Sequence, residues 1–171
     1  MVETTPENLE RTMLLSYLNG QRGHVLGILE DLDDEALRRQ VLPSGWSCLG
    51  LIQHLTLDVE RFWFSGIVAG EQAVLDDLNN IPNAWIVDPD VSAERILNAY
   101  RQEISRADAI VANVPLDSAP ALWPPDLFGD WRLHSLRQVI LHVLTETACH
   151  TGHLDVVREL IDDRQWLVLT E

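Results

Sequence analysis

The sequence predicts an all-α protein built as a four-helix bundle. Four long segments repeat apolar residues at the three- and four-residue spacing of a helix that buries one face. No segment shows the alternation of apolar and polar residues that marks a strand. Long connections separate the second helix from the third and the third from the fourth. With 171 residues, 46% of them hydrophobic, the chain is expected to form a single domain over 1–171.

The first half of the chain carries two of the four helices. Thr5-Pro6-Glu7 offers an N-cap, a first-turn proline and an early acid, which predicts helix 1 over about 6–31. A short accessory helix is expected over about 33–41. Ser47 is then placed to cap the second long helix, which Gly70 closes.

The second half of the chain carries the other two long helices. The connection over 71–91 is too long for a tight antiparallel turn, so it permits a crossover. Asp90 or Ser92 can cap helix 3, expected over about 92–114. A proline- and tryptophan-containing segment follows and is interpreted as an ordered loop, and helix 4 is expected to begin near Ser135.

Charge and hydropathy exclude several function classes. The net charge is -15 and the charges are dispersed along the helices, so the protein would repel the phosphates of a nucleic acid. No apolar run approaches the roughly 18 to 20 residues of a membrane span. The start at Met1 is polar and lacks the features of a signal peptide, so we expect a cytoplasmic protein.

Helix 4 carries the residues that point most clearly to a function. At about 100° per residue, four metal-competent side chains fall within one quarter of the helix circumference. They are His142, Glu146, His150 and His153. Val139 and Val157 share this stripe, so it is expected to face other protein, where imidazoles and a carboxylate are costly to bury without a purpose. Binding of a metal ion is the simplest purpose that these four side chains could share.

A third ligand is expected from the second helix. Glu146 and His150 are spaced i, i+4, which places both side chains over one spot on a helix face. His54 is the best further candidate, because it lies among apolar residues on a helix that must contribute to the bundle interior. Two histidines and one carboxylate leave coordination positions open, as a catalytic metal requires.

The same residues carry a resemblance to a known family. Ser47-x6-His54-Leu55 after a Gly-Trp turn, with Glu146-x3-His150-Thr151-Gly152-His153-Leu154-Asp155 in the last helix, resembles the DinB-like (YfiT-like) metal-binding four-helix-bundle superfamily. Over nearly the whole chain the sequence is most similar to the actinobacterial branch that includes the N-terminal domain of mycothiol-dependent maleylpyruvate isomerase. The resemblance implies an up-down-down-up bundle, a homodimer, and zinc, or else nickel, as the metal.

Residue roles and an activity also follow from the resemblance. It implies His54, Glu146 and His150 as the metal ligands, with His142 and His153 around them as pocket residues that could transfer protons. The expected activity is metal-dependent transfer or isomerisation with a small-molecule thiol, plausibly mycothiol, acting on a small electrophile. Two alternatives stay open, a non-catalytic metal-binding or dimerising helical module and a metal-dependent hydrolase.

The remaining polar and aromatic residues receive ordinary interpretations. His24 and His134 have no partner evident in the sequence and are interpreted as solvated or capping residues. Asp58 and Asp155 could orient histidines, but surface charge is preferred for both. The tryptophans of the 115–134 segment are interpreted as loop packing in preference to a substrate wall.

Overall fold

Capping side chains define where the helices begin. The computed structural model describes residues 5–77 and 83–166 and contains no strand within those ranges. Its elements are α1 (Pro6–Gly27), α2 (Asp34–Arg38), α3 (Cys48–His54), the π-helical segment π1 (Leu55–Val68), α4 (Gln72–Asp77), α5 (Ala93–Asn113) and α6 (Leu136–Asp162). The predicted caps are confirmed, because Thr5, Ser47, Ser92 and Ser135 each accept a hydrogen bond from the amide three residues later.

The predicted boundaries hold with three differences. The accessory helix expected over about 33–41 spans only Asp34–Arg38. Helix α1 ends at Gly27, and the chain turns over 28–31, where Asp31 adopts a φ of 66°. The 71–91 connection contains the short helix α4, which the sequence analysis did not predict. Gly70 takes a φ of 74° just after π1, the left-handed conformation that ends a helix and favours glycine. In the described ranges no helix is long and apolar enough to cross a membrane.

The second long helix changes its winding immediately after His54. Residues 48–54 are α-helical, whereas Leu55–Val68 follows the wider π pattern that ends with the Ala69 amide bonded to the Phe64 carbonyl at 2.9 Å. The apolar spacing predicted α-helical winding throughout, which is wrong for this segment. At the change, the Thr56 hydroxyl donates to the Ile52 carbonyl at 2.7 Å, a bond that competes with regular helix pairing. Such π-helical turns often occur at functional sites.

Cross-helix pairs give the direction of the first and last helices. Arg137 Nη2, at the start of α6, donates to Glu10 Oε2 near the start of α1 at 2.9 Å. Further along both helices, His24 Nε2 lies 2.7 Å from Asp155 Oδ1. The start of α1 therefore lies beside the start of α6, and later residues of α1 lie beside later residues of α6. The two helices are parallel.

The middle helices run the opposite way. His54 contacts His150, and Trp63, nine residues later in π1, contacts His142, eight residues earlier in α6, so the two elements are antiparallel. Helix α5 packs along π1. Thr56 lies beside Ile96 early in α5, and Glu71, just after π1, bonds Arg106 late in α5, so the two elements are parallel. The arrangement is the expected up-down-down-up bundle, with His54 and the α6 stripe facing each other across it.

Candidate functional site

Two histidines from opposite helices meet inside the bundle. His54 is the last residue of α3 and His150 lies in the middle of α6; their ring centroids are 5.0 Å apart at 72°. The two side chains are only 16% and 12% exposed. Glu146 lies one turn before His150, with Oε2 3.9 Å from His150 Nε2. The three residues expected to bind metal therefore lie in one place.

The His54 ring is held by a carboxylate of its own helix. Asp58 Oδ2 lies 2.9 Å from His54 Nδ1. This contact leaves Nε2 as the ring nitrogen available to another ligand, the arrangement typical of metal-binding histidines. The interpretation of Asp58 as surface charge is therefore wrong, although its i, i+4 spacing from His54 was visible in the sequence.

The environment of His150 favours its neutral form. Burial, together with the smaller effect of positive charge on His54 and His153, lowers the pKa of His150 to about 4. An imidazole with this pKa is unprotonated at neutral pH. Its nitrogen lone pair is then free to bind a cation without first releasing a proton.

The donor types fit a divalent cation, but the Glu146 carboxylate is not positioned to bind a cation together with the two imidazoles. Two neutral imidazoles and a carboxylate are ligands that zinc and nickel accept. Among the residues that the structure describes, no three His, Cys, Asp or Glu side chains are positioned to hold a metal as they stand. The Glu146 side chain is 42% exposed, so it has room to turn toward the two imidazoles.

The two other histidines of the stripe lie at different ends of it. His153 is exposed, and its Nδ1 lies 3.4 Å from His150 Nδ1. His142 lies about two turns away, eight residues before His150, where its ring contacts Trp63 at 4.5 Å and Trp131 at 5.4 Å. Burial lowers the pKa of His142, so this imidazole also favours its neutral form.

Two tryptophans that sequence reasoning did not single out border the His54–His150 pair. Trp85 stacks on the His54 ring with centroids 4.4 Å apart and an interplanar angle of 19°. Its ring also lies 5.7 Å from that of His150, and Trp46 lies 6.3 Å from His153. Both tryptophans lie in loops, where no periodic pattern marks a residue as facing the site.

The tryptophans of the 115–134 segment form a separate aromatic cluster. Trp123 packs against Trp63, Phe128 and Trp131. Loop packing is therefore confirmed for this segment. Trp131 is 45% exposed and contacts His142, so the cluster also borders the end of the stripe farthest from His150.

A second histidine–carboxylate pair lies elsewhere in the bundle. His24 pairs with Asp155 and stacks on Trp166 at 4.8 Å, with 12% of its side chain exposed. The interpretation of His24 as an ordinary solvated residue is wrong, as is that of Asp155 as mere surface charge. No local pattern could have revealed this pair, since its members lie 131 positions apart. His134 is exposed, as expected.

A comparison with protein-family models identifies the family of the chain. Residues 13–163 match the model of the mycothiol S-transferase family. The chain belongs to this family. Mycothiol S-transferases are part of the DinB-like superfamily, so the resemblance inferred from the histidine motifs is confirmed. Comparison with curated proteins gives no significant match.

Membership of the mycothiol S-transferase family bears on the substrate of the protein. All of the stripe residues and His54 lie within the matched range, as do Trp46 and Trp85. The family implies a thiol as one reactant, in agreement with the sequence expectation. It specifies neither a metal nor the acceptor of the thiol.

Proposed function

We propose that the protein joins the sulfur of mycothiol to a small electrophile at a divalent metal held by His54, Glu146 and His150. Zinc is the metal we favour over nickel. The observation that carries this proposal is the pairing of His54 and His150 across the bundle, with Asp58 behind one ring and Glu146 beside the other. A family of thiol transferases supplies the reaction type.

The residues around the metal position would divide the chemistry. A bound divalent cation would favour the thiolate form of the co-substrate at neutral pH. Asp58 keeps His54 oriented, and the low pKa of His150 keeps its ring unprotonated. These features prepare the site for binding without a proton having to leave the His150 ring first.

Proton transfer falls to the two remaining histidines. His153 borders His150 and is exposed, so it can take the thiol proton and release it to solvent. The sulfur then forms a bond to the electrophilic carbon, and the displaced group leaves with its bonding electron pair. His142, neutral and set against Trp63 and Trp131, can relay a proton from solvent to a group that leaves at the other end of the stripe, because one ring nitrogen accepts a proton from water while the other donates its own.

A cleft beside the histidine pair supports catalysis over a purely structural metal. Trp46 and Trp85, which contact the histidines, also line a cleft of about 730 Å³. Ligand sites in proteins typically enclose about 300 to 1,000 Å³. A closed structural metal site would not need a cleft of this size beside it.

A conjugation assay tests the proposal. Protein loaded with zinc is given mycothiol and monobromobimane, and product formation is followed. We expect His54→Ala and His150→Ala each to lower kcat/KM by about 100-fold and to lose stoichiometric zinc. The exposed His134 provides a matched control, and His134→Ala should change neither quantity. Unchanged activity in both site variants, or a protein that takes up no zinc or nickel, would refute the proposal.

A further inference from the structure

A cleft lies beside the histidine pair, on the side away from the aromatic cluster. It measures about 730 Å³ and runs between the loop that precedes α3 and the segment 83–89. Trp46 comes from the first of these walls and Trp85 from the second, with their rings 6.2 Å apart. Because Trp85 also stacks on His54, a ligand against this indole lies one ring away from the site.

The segment that carries Trp85 packs against α3. Gln53 Nε2 donates to the carbonyls on both sides of this tryptophan, Ala84 at 2.7 Å and Ile86 at 3.1 Å. Gly50 makes room for the Trp85 carbonyl, since a Cβ at this position would lie 2.4 Å from that oxygen. Two residues of α3 thus fix the loop that carries Trp85, and the cleft is preformed.

The chemistry of the lining selects against charged ligands. Among the described residues that line the cleft, Arg38 is the one with a charged side chain, and its guanidinium is already bonded to Asp34 and to the Val91 carbonyl. The other polar side chains of the lining are neutral amides and hydroxyls. They are Gln40, Ser44, Ser47 and Asn83.

Neutral amides and hydroxyls combined with indole faces suit a sugar-like ligand. Hydroxyl groups on such a ligand can exchange hydrogen bonds with Gln40, Ser44 and Asn83. The ring C–H groups carry a small positive charge, which the negative face of an indole attracts. A hydrocarbon electrophile would leave the amides unsatisfied, and an anion would find no free cation.

We propose that this cleft binds the neutral, polyhydroxylated head of the thiol co-substrate and so determines which thiol the protein accepts. This inference rests on the proposed function. Mycothiol carries its cysteine on a glucosamine–inositol head, so a head seated between Trp46 and Trp85 leaves the cysteinyl sulfur directed past Trp85 to the His54–His150 pair. The acceptor would then approach from the His142 end of the stripe.

Binding of the head alone tests the inference without catalysis. N-acetylglucosaminyl inositol, which keeps the neutral amide of the head and lacks the thiol, is titrated calorimetrically into the intact protein, with and without zinc. We expect binding in both cases, weakened about tenfold or more in Trp46→Ala. Trp166→Ala is the matched control, because this tryptophan stacks on His24 away from the cleft and its loss should leave the affinity unchanged.

Kinetics separate the inference from the proposed function. The ratio of kcat/KM for mycothiol to that for N-acetylcysteine, which has the thiol without the head, is expected to fall about tenfold in Trp46→Ala and to stay constant in Trp166→Ala. Active protein that does not bind the head, or whose ratio Trp46→Ala leaves constant, would overturn the inference and leave the function standing. Binding of the head by a protein without transferase activity would instead refute the function alone.

Discussion

At the scale of single residues, the site depends on what surrounds each histidine. His54 has a carboxylate at Nδ1 and an indole against its face, whereas His150 has mainly other histidines near it. The carboxylate fixes the orientation of one ring, and burial keeps the other unprotonated. The same residue type is thus prepared for ligand binding by two different physical effects.

The Asp58–His54 pair leads to a prediction about metal affinity. We expect Asp58→Asn to weaken zinc binding by about 10- to 100-fold, because an amide no longer provides a charged acceptor for the ring N–H. Asp155→Asn is the matched control, since it alters a histidine–carboxylate pair outside the site. Zinc affinities measured by competition with a chelator check the prediction. Equal losses in the two variants would contradict it.

At the scale of elements, the α3–π1 helix positions the site. His54 ends the regular α-helical part, and the wider winding that follows begins at Leu55. Gly50, one turn earlier, and Gln53, the residue before His54, hold the loop that places Trp85 over His54. One short helix therefore organises both a site histidine and the wall beside it.

Glycine substitutions test this role of α3. A Cβ at Gly50 would lie 2.4 Å from the Trp85 carbonyl, so Gly50→Ala should displace the loop, cost about 1 to 3 kcal/mol of unfolding free energy and alter tryptophan fluorescence. Gly23 is exposed in α1, and a Cβ there would meet no atom of the described structure within 4 Å. Gly23→Ala should therefore stabilise by about 0.5 to 1 kcal/mol. Denaturant unfolding checks both values, and a stabilised Gly50→Ala would contradict the packing argument.

At the scale of the whole molecule, a buried ion pair ties the helices together. Arg22 of α1 makes two hydrogen bonds to Glu60 of π1, at 2.7 and 2.6 Å, and a third to Asp108 of α5 at 2.8 Å. The Arg22 and Glu60 side chains are 3% and 0% exposed. Each charge needs the other, because an unpaired charge in the core is costly.

Removing one partner of the Arg22–Glu60 pair should therefore lower the unfolding free energy by more than removing both. We expect Arg22→Met to lower the unfolding free energy by about 3 to 5 kcal/mol, and the double variant with Glu60→Met to recover most of that loss. The exposed Arg106–Glu71 pair is the control, and Arg106→Met should cost under about 1 kcal/mol. Chemical denaturation measures all three. A double variant as unstable as the sum of the single changes would disprove the account.

The bundle and part of the site could be predicted from local signals. Caps such as Ser47 and Ser135 act within three residues, and the apolar spacing acts within one or two turns. The placement of Glu146, His150 and His153 on one face follows from the same periodicity. The π winding of Leu55–Val68 could not be predicted, because its apolar residues suit both forms and surrounding helices bury it almost completely.

The sequence by itself determined the helices, their starts, the family and the stripe of histidines and Glu146 on α6, because these depend on residues near one another in the chain. Only the tertiary structure decided which groups meet across the bundle. It set Trp85 on His54, paired His24 with Asp155, and packed Trp63 against His142. Such contacts arise from the packing of distant segments, which local spacing does not encode.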